Sequence, residues 1–210
     1  MVTTSDLDFL TSDVGQQLLI RLGQTDLSEG NLLPLTARLR QTYAAAQANA
    51  VLTIAQLRLR AVEKFGAAAG RMYFTDAGLQ QASHPLARAY RASQIGHQSI
   101  WDAGCGIGAD SLAFAIHGAD VLGVDIDPVC VTMARLNAEA LGLDNAHFAI
   151  ADVRDGFPDL QPVIFYDPGR RDQQGNRIFA VEHYIPPLSL VRGWRTERIV
   201  VKLPVLINSN

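Results

Sequence analysis

Short apolar runs alternate with longer amphipathic stretches over the second half of the chain. Apolar runs of about five residues predict buried strands, whereas apolar residues three and four positions apart predict helices. Strands are predicted near residues 99–103, 121–125, 146–150, 162–166 and 199–203. Helices are predicted near residues 109–117, 128–141 and 179–192. This alternation predicts an α/β fold with a doubly wound parallel sheet in strand order 3-2-1-4-5.

The first part of the chain shows helical spacing only. Ser12 can cap a helix that ends near Gly23, and residues 31–65 predict two further helical pieces. We therefore divide the chain into an N-terminal helical region, residues 1–92, and a sheet domain, residues 93–210.

A glycine turn follows the first predicted strand. Gly104, Gly106 and Gly108 occupy alternate positions there, and a helix is predicted to open directly after them. Glycines let the backbone bend sharply and come close to a ligand. The free N–H groups and the positive dipole end of the helix would face that ligand. The turn therefore predicts a nucleotide-type cofactor.

Two classes of cofactor fit this turn. The pattern Gly-x-Gly-x-x-Ala from Gly104, with Asp125 after the second strand, fits the fingerprint of a dinucleotide site. Asp102, just before the turn, would repel a pyrophosphate and attract an ammonium group. Asp152 adds a third carboxylate after the third strand. The set favours a cofactor with a cationic amino-acid end, a ribose and an adenine, which describes S-adenosylmethionine (AdoMet); a nicotinamide dinucleotide remains the alternative.

The ordered motifs resemble the class I AdoMet-dependent methyltransferases, which have a Rossmann-like fold. They are Asp-x-Gly-x-Gly-x-Gly from Asp102, Val-Asp125, Ala-Asp152 and Phe-Tyr-Asp-Pro168. Further segments resemble the bacterial THUMP-like methyltransferase family: Lys64-Phe65, Met72-Tyr-Phe-Thr75, Gly78-Leu-Gln-Gln-Ala-Ser83, Tyr90-Arg-Ala92, Asp167-Pro-Gly-Arg-Arg171, Tyr184-Ile-Pro-Pro-Leu188 and Val201-Lys-Leu203.

The resemblance implies a role for each residue of the cofactor site. Asp102 would hold the amino end of the cofactor, Asp125 the ribose, Ile126 the adenine face and Asp152 the adenine amino group. The full set of implied cofactor residues is Asp102, Gly104, Cys105, Gly106, Gly108, Asp125, Ile126, Asp152 and Val153. Cys105 is interpreted as a small side chain that fits the turn, not as a nucleophile.

The segment after the fourth strand concerns the methyl acceptor. Asp167-Pro168 resembles the Asp-Pro-Pro-aromatic loop of amino-group methyltransferases, in which the Asp accepts a hydrogen bond from an exocyclic amino group. Gly169 and Arg170 stand at the third and fourth positions. Arg170 could stack on a base or pair with a phosphate, and the segment 184–187 could supply an apolar platform. The resemblance implies that Asp167, Pro168 and Arg170 are catalytic, on a nitrogen of an RNA base.

The charge distribution is asymmetric although the net charge is only −3. Residues 30–91 carry a net charge of +6, residues 92–167 of −9, and residues 168–210 of +4. Basic segments on both sides of an acidic domain are compatible with a phosphate-rich substrate. Solvated helix faces would account for the same arginines.

Composition predicts the compartment of the protein and indicates whether a membrane or a metal is involved. Two cysteines without a Cys-x-x-Cys pair predict a reduced, cytoplasmic protein. No apolar run reaches the length of a membrane span, and the five histidines show no ligand spacing, so neither a membrane nor a metal is predicted.

The end of the sequence departs from the family pattern at Pro204. Class I methyltransferases usually add an antiparallel hairpin after the fifth strand, so we predict a domain that is incomplete at its C-terminus. An exposed edge strand would then favour a homodimer. Two further functions stay open: the same chemistry on a small molecule or protein, and a non-catalytic AdoMet-binding module.

Overall fold

A computed structural model describes residues 2–156, 161–170, 176 and 178–203. The α-helices in that part of the chain are α1 (Thr4–Thr11), α2 (Asp13–Leu22), α3 (Glu29–Leu39), α4 (Ala45–Phe65), α5 (Asp76–Gln81), α6 (Pro85–Ile95), α7 (Ala109–Ile116) and α8 (Pro128–Leu141). The strands are β1 (Ile100–Ala103), β2 (Val121–Asp125), β3 (Ala146–Ile150), β4 (Gln161–Tyr166) and β5 (Thr196–Val201). Arg171 and Pro204, which the motifs include, lie outside the described residues.

Side-chain hydrogen bonds cap the N-termini of the first two helices. The Ser12 hydroxyl accepts a hydrogen bond from the Gly15 N–H at 3.2 Å, and α2 ends at Leu22, which confirms the predicted helix. Helix α1 was not predicted from the sequence; its Thr3 and Asp6 cap each other's backbone N–H groups. None of the described helices is long and apolar enough to cross a membrane.

The five strands form one parallel sheet in the order β3-β2-β1-β4-β5. This confirms the predicted α/β architecture and its strand order 3-2-1-4-5. All the strands point the same way, so their carboxyl ends share one edge of the sheet. The order reverses between β1 and β4, which is where α/β sheets bind ligands.

The two faces of the sheet are covered differently. In β4, Val163 and Phe165 join the larger core with α7, α8 and the N-terminal helices, and the Phe114 ring meets Phe165 at 5.0 Å. Tyr166 lies on the other face, where the Trp194 ring packs against it at 5.0 Å.

The helix predicted over residues 179–192 is wrong. Two 3-10 turns, Val181–His183 and Leu188–Gly193, occupy this segment instead. Pro186 and Pro187 lie between them, and a proline lacks the N–H group that a helix interior requires. The Tyr166 hydroxyl donates to the Pro186 carbonyl at 2.8 Å, so the irregular backbone is tied to the sheet.

A buried amide joins the segment between α4 and α5 to the glycine turn. Asn137 of α8 is fully buried, and its Oδ1 accepts from the Tyr73 N–H at 2.7 Å. Its Nδ2 donates to the carbonyls of Tyr73 and Ile107, at 3.0 and 3.1 Å. Ile107 belongs to the glycine turn, so the position of the turn depends on the N-terminal region. The division of the chain at residue 92 stays a prediction. Helix α6 runs across this position.

Candidate functional site

A cavity of about 840 Å³ opens at the carboxyl edge of the sheet. Its lining includes every predicted site residue except Gly108: Asp102, Gly104, Cys105, Gly106, Asp125, Ile126, Asp152, Val153, Asp167, Pro168 and Arg170. Gly108 caps the first turn of α7 beside the cavity. The fold therefore brings together segments that are up to 68 positions apart in the sequence.

The glycine turn leaves open space and anchors a carboxylate. Gly106 has φ +54°, a conformation that side chains rarely adopt, and a Cβ placed there would meet nothing within 4 Å. Its N–H donates to Asp125 Oδ2 at 2.8 Å, and the Asp127 N–H donates to Asp125 Oδ1 at 2.9 Å. Asp125 is thus held at the end of β2, with Ile126 beside it at 62% exposure.

Asp102 is a buried carboxylate in which only one of the two oxygens accepts a hydrogen bond from the described residues. The residue is 1% exposed, and its Oδ2 accepts from the Ser111 hydroxyl. Its Oδ1 is buried and has no hydrogen-bond partner among the described residues. Burial raises the pKa of Asp102 to about 7, and the nearby Asp110 and Asp167 carboxylates act in the same direction. A buried acceptor without a donor is costly, so this oxygen suits a cationic ligand.

Asp152 lines the cavity just after β3, an edge strand of the sheet. Its carboxylate pairs with the Arg154 guanidinium and accepts from the Arg154 N–H at 2.9 Å. These hydrogen bonds lower the pKa of Asp152. The Arg154 side chain is 63% exposed, so the pair can open to a ligand at little cost.

Helix α5 forms one wall of the cavity. Gln80 and Gln81 line it, and Lys64 of α4 holds the end of this short helix. The Lys64 ammonium donates to the carbonyls of Leu79, Gln80 and Ala82 at 2.8, 3.1 and 2.7 Å. Burial lowers the pKa of Lys64. This contact of Lys64 was not predicted from the sequence, where Lys64 is only part of the motif Lys64-Phe65.

The loop after β4 is paired with the segment around Ile185. The N–H and carbonyl groups of Gly169 and Ile185 bond each other, both at 2.9 Å. A Cβ on Gly169 would lie 2.9 Å from the Ile185 carbonyl oxygen, so the third position of the Asp-Pro-Gly-Arg loop requires glycine. Tyr184 is 3% exposed and Ile185 is 55% exposed. Of these two residues, Ile185 therefore exposes the larger apolar surface.

Lys202 lines the cavity as well, although it was not among the predicted site residues. It follows β5, and its side chain is 10% exposed. Its ammonium group pairs with Asp167 and lies 3.3 Å from Asp110 Oδ2. Burial raises the pKa of Asp167, and Lys202 acts against that rise. Like the four aspartates, Lys202 lies at a strand end, and that position is the signal that could have revealed it.

Half of the eight basic side chains in the segment 30–91 make buried or part-buried bonds within the fold. Arg58 donates to the Met72 carbonyl, Lys64 caps α5, Arg88 donates to the Lys64 carbonyl, and Arg91 pairs with Asp110. The positive charge of this segment therefore does not by itself indicate a phosphate-binding surface. Arg154 and Arg170 are the arginines among the described residues that line the cavity.

Two family models match this chain. Residues 96–165 match a family described as a methyltransferase domain. Residues 3–61 match a family described as a domain of unknown function, DUF8688.

Several proteins are similar to parts of the chain. An uncharacterized S-adenosylmethionine-dependent methyltransferase of Mycobacterium tuberculosis (strain CDC 1551 / Oshkosh) is 37% identical over 158 residues, 70% of this chain and 42% of that protein. The 23S rRNA (uracil(747)-C(5))-methyltransferase of Cronobacter sakazakii is 34% identical over 39% of this chain and 22% of its own length. The chain thus spans less than half of the curated relatives it matches. A provisionally named methyltransferase from Porphyromonas gingivalis W83 has the same fold, with a TM-score of 0.57 and 19% identity over 74% of this chain and 41% of its own.

Proposed function

We propose that this chain, which contains a methyltransferase domain of class I architecture, binds AdoMet and transfers its methyl group to a nitrogen of an RNA base. The observation that carries the proposal is the convergence of Asp102, Asp125, Asp152 and Asp167 on one cavity at the carboxyl edge of the sheet. Asp102 is 1% exposed, and burying a carboxylate is costly, so stability alone does not explain this arrangement.

The residues of the cavity fit the parts of AdoMet. Asp102 Oδ1, which has no donor among the described residues, would accept from the ammonium group. N–H groups in the first turn of α7 would face the carboxylate. Asp125 would bind the ribose, the exposed Ile126 would pack on adenine, and Asp152 with the Val153 N–H would bind the adenine edge. AdoMet supplies an electrophilic methyl group on a sulfonium sulfur.

The acceptor is held by the loop after β4. Asp167 accepts a hydrogen bond from the amino group, which orients the nitrogen lone pair toward the methyl group. Asp167 also stabilises the positive charge that develops on nitrogen and accepts the proton that nitrogen releases. Pro168 stiffens the loop, and Arg170 stacks on the base or pairs with a phosphate.

The two thiols favour nitrogen over a pyrimidine carbon as acceptor. Carbon 5 of uracil is a weak nucleophile that is activated when another nucleophile adds to the ring, a task suited to a thiolate. The chain has two cysteines, Cys105 and Cys130. Burial raises the pKa of both thiols, so both stay protonated at neutral pH. The relatives named as uracil C5 methyltransferases therefore support an RNA substrate more than they support carbon 5 of uracil as the methylated atom.

Methyl transfer from labelled AdoMet tests the proposal. The wild-type chain, Asp167→Asn and the control Asp120→Asn are incubated with total RNA, and label is followed after nuclease or protease digestion. Asp120 is exposed and precedes β2, at the opposite edge of the sheet. We expect nuclease-sensitive label from the wild type and the control, and a loss of about a hundredfold or more in Asp167→Asn.

S-adenosylhomocysteine (SAH) binding is measured in the same proteins and should be retained in Asp167→Asn. Protease-sensitive label would instead indicate a protein acceptor. A folded wild-type chain that binds SAH and labels nothing would contradict an enzyme and favour an AdoMet-binding module.

A further inference from the structure

We infer that Lys202 is a positioning residue of the acceptor site, which keeps the Asp167 carboxylate ionised and leaves one of its oxygens available to the acceptor. The inference rests on the proposed function of Asp167. Among the described residues Lys202 pairs with Asp167 and Asp110, and not with the proposed cofactor residues Asp125 and Asp152, so we assign its role to the acceptor side of the cavity.

The backbone fixes Lys202 beside Asp167. The Lys202 N–H donates to the Tyr166 carbonyl at 2.9 Å, so the ladder between β4 and β5 continues one bond past the end of β5. Tyr166 is the residue before Asp167. The side chain of Lys202 then reaches Asp167 Oδ2, and Oδ1 is the oxygen that remains for a substrate.

A second carboxylate stabilises this position of Lys202. Asp110, in the first turn of α7, lies 3.3 Å from the Lys202 ammonium through Oδ2. Its Oδ1 accepts from the Arg91 Nε at 3.1 Å, so Arg91 of α6 completes the cluster. Lys202 therefore bridges two carboxylates that come from different elements.

The charges around this cluster are nearly balanced. The groups that face or influence Asp167 and Lys202 are Asp102, Asp110, Lys64, Arg91 and Arg170. With Lys202 removed, Asp110 would keep Arg91, but Asp167 would face two carboxylates with only Arg170 to oppose them. Burial already raises the pKa of Asp167. The loss of Lys202 would therefore favour the protonated carboxyl, which cannot stabilise positive charge on the acceptor nitrogen.

Carbon-13 NMR of aspartate carboxyl groups in the full chain measures this effect directly, with Asp167→Asn to assign the signal. We expect the Asp167 titration midpoint to rise by roughly one pH unit or more in Lys202→Met. Lys202→Gln provides a second neutral variant should Lys202→Met fold poorly. Lys202→Arg and the control Arg198→Met should stay within a few tenths of a pH unit, since Arg198 is exposed on β5. An unchanged midpoint in a folded neutral variant would overturn the inference.

Turnover on the labelled RNA gives the second readout. In Lys202→Met the acid limb of the pH profile of kcat should move to higher pH, while SAH affinity stays within about threefold of the wild type. A parallel loss of rate at every pH, without that movement, would also overturn the inference. A wild-type chain that methylates no acceptor would refute the proposed function, whereas the NMR midpoint would still decide whether Lys202 keeps Asp167 ionised.

Discussion

Replacing Asp102 by Asn should stabilise the free protein and weaken its cofactor site. The carboxylate is 1% exposed, and only one of its oxygens is bonded in the described part of the chain. Burial raises its pKa from 3.8 to about 7. Asn keeps the size of the side chain and an acceptor for Ser111, but it removes the charge. The cost of burying that charge should therefore disappear together with the attraction for an ammonium group.

The magnitude follows from the pKa of Asp102. Between pH 3.8 and about 7 the unfolded chain is ionised at this position and the folded chain is protonated, so folding loses stability as the pH rises. Three pH units at about 1.4 kcal/mol each give roughly 4 kcal/mol. The free energy of unfolding of Asp102→Asn, relative to wild type, should rise by about this amount between pH 4 and 7 and stay constant above 7. The unpaired Asn amide adds a cost that does not depend on pH.

Urea unfolding across this pH range, together with SAH titration, checks both effects. Loss of one charge-assisted hydrogen bond should weaken SAH binding at pH 8 by roughly ten- to a hundredfold. Wild-type affinity should fall about tenfold per pH unit below 7, whereas that of Asp102→Asn should change little. Asp144→Asn, exposed before β3, is the control. A stability difference that does not vary with pH, or equal SAH affinities, would refute this reasoning about Asp102.

Three further substitutions have defined outcomes. Gly169→Ala places a Cβ 2.9 Å from the Ile185 carbonyl oxygen. Label transfer should therefore fall about tenfold or more, while calorimetry shows unchanged SAH affinity. Full turnover would be inconsistent with the paired loop. Asn137→Ala leaves three buried main-chain groups without their partner. The free energy of unfolding in urea should therefore fall by about 3 kcal/mol or more. A smaller decrease would count against the amide link. Gly108→Ala puts a side chain at φ +83° and 3.2 Å from the Ala134 Cβ; thermal unfolding should reveal a cost of about 1–2 kcal/mol, and a neutral result would argue against that conformation.

The strands of the sheet could be predicted because each is a short apolar run that ends at a recognisable turn. The positions of β1 to β4 follow the predicted strands closely, and the aspartates at their ends converge as parallel strands require. The segment 179–192 was wrongly predicted as a helix, since its apolar spacing looks helical and only the adjacent Pro186 and Pro187 oppose it. Greater weight on those prolines would have favoured turns.

The contacts of the basic side chains could not be predicted from local pattern. Lys202 meets Asp110 across 92 positions of sequence, and Lys64 meets Ala82 across 18. Nothing in the spacing of charges shows whether a basic side chain is solvated or bonded to a distant carbonyl. The net charge of the segment 30–91 was compatible with a phosphate-rich substrate or with solvated helix faces, whereas half of its eight basic side chains serve the fold.

Calorimetric titration of the wild-type chain with SAH, with NAD as the comparison ligand, tests the central claim most directly. A cavity lined by Asp102, Asp125 and Asp152 should bind one SAH per chain with a Kd in the range of roughly 1 μM to 1 mM and should give no heat with NAD. A chain that is folded by circular dichroism and binds NAD in preference to SAH, or binds neither, would contradict the assignment of these carboxylates to an AdoMet site.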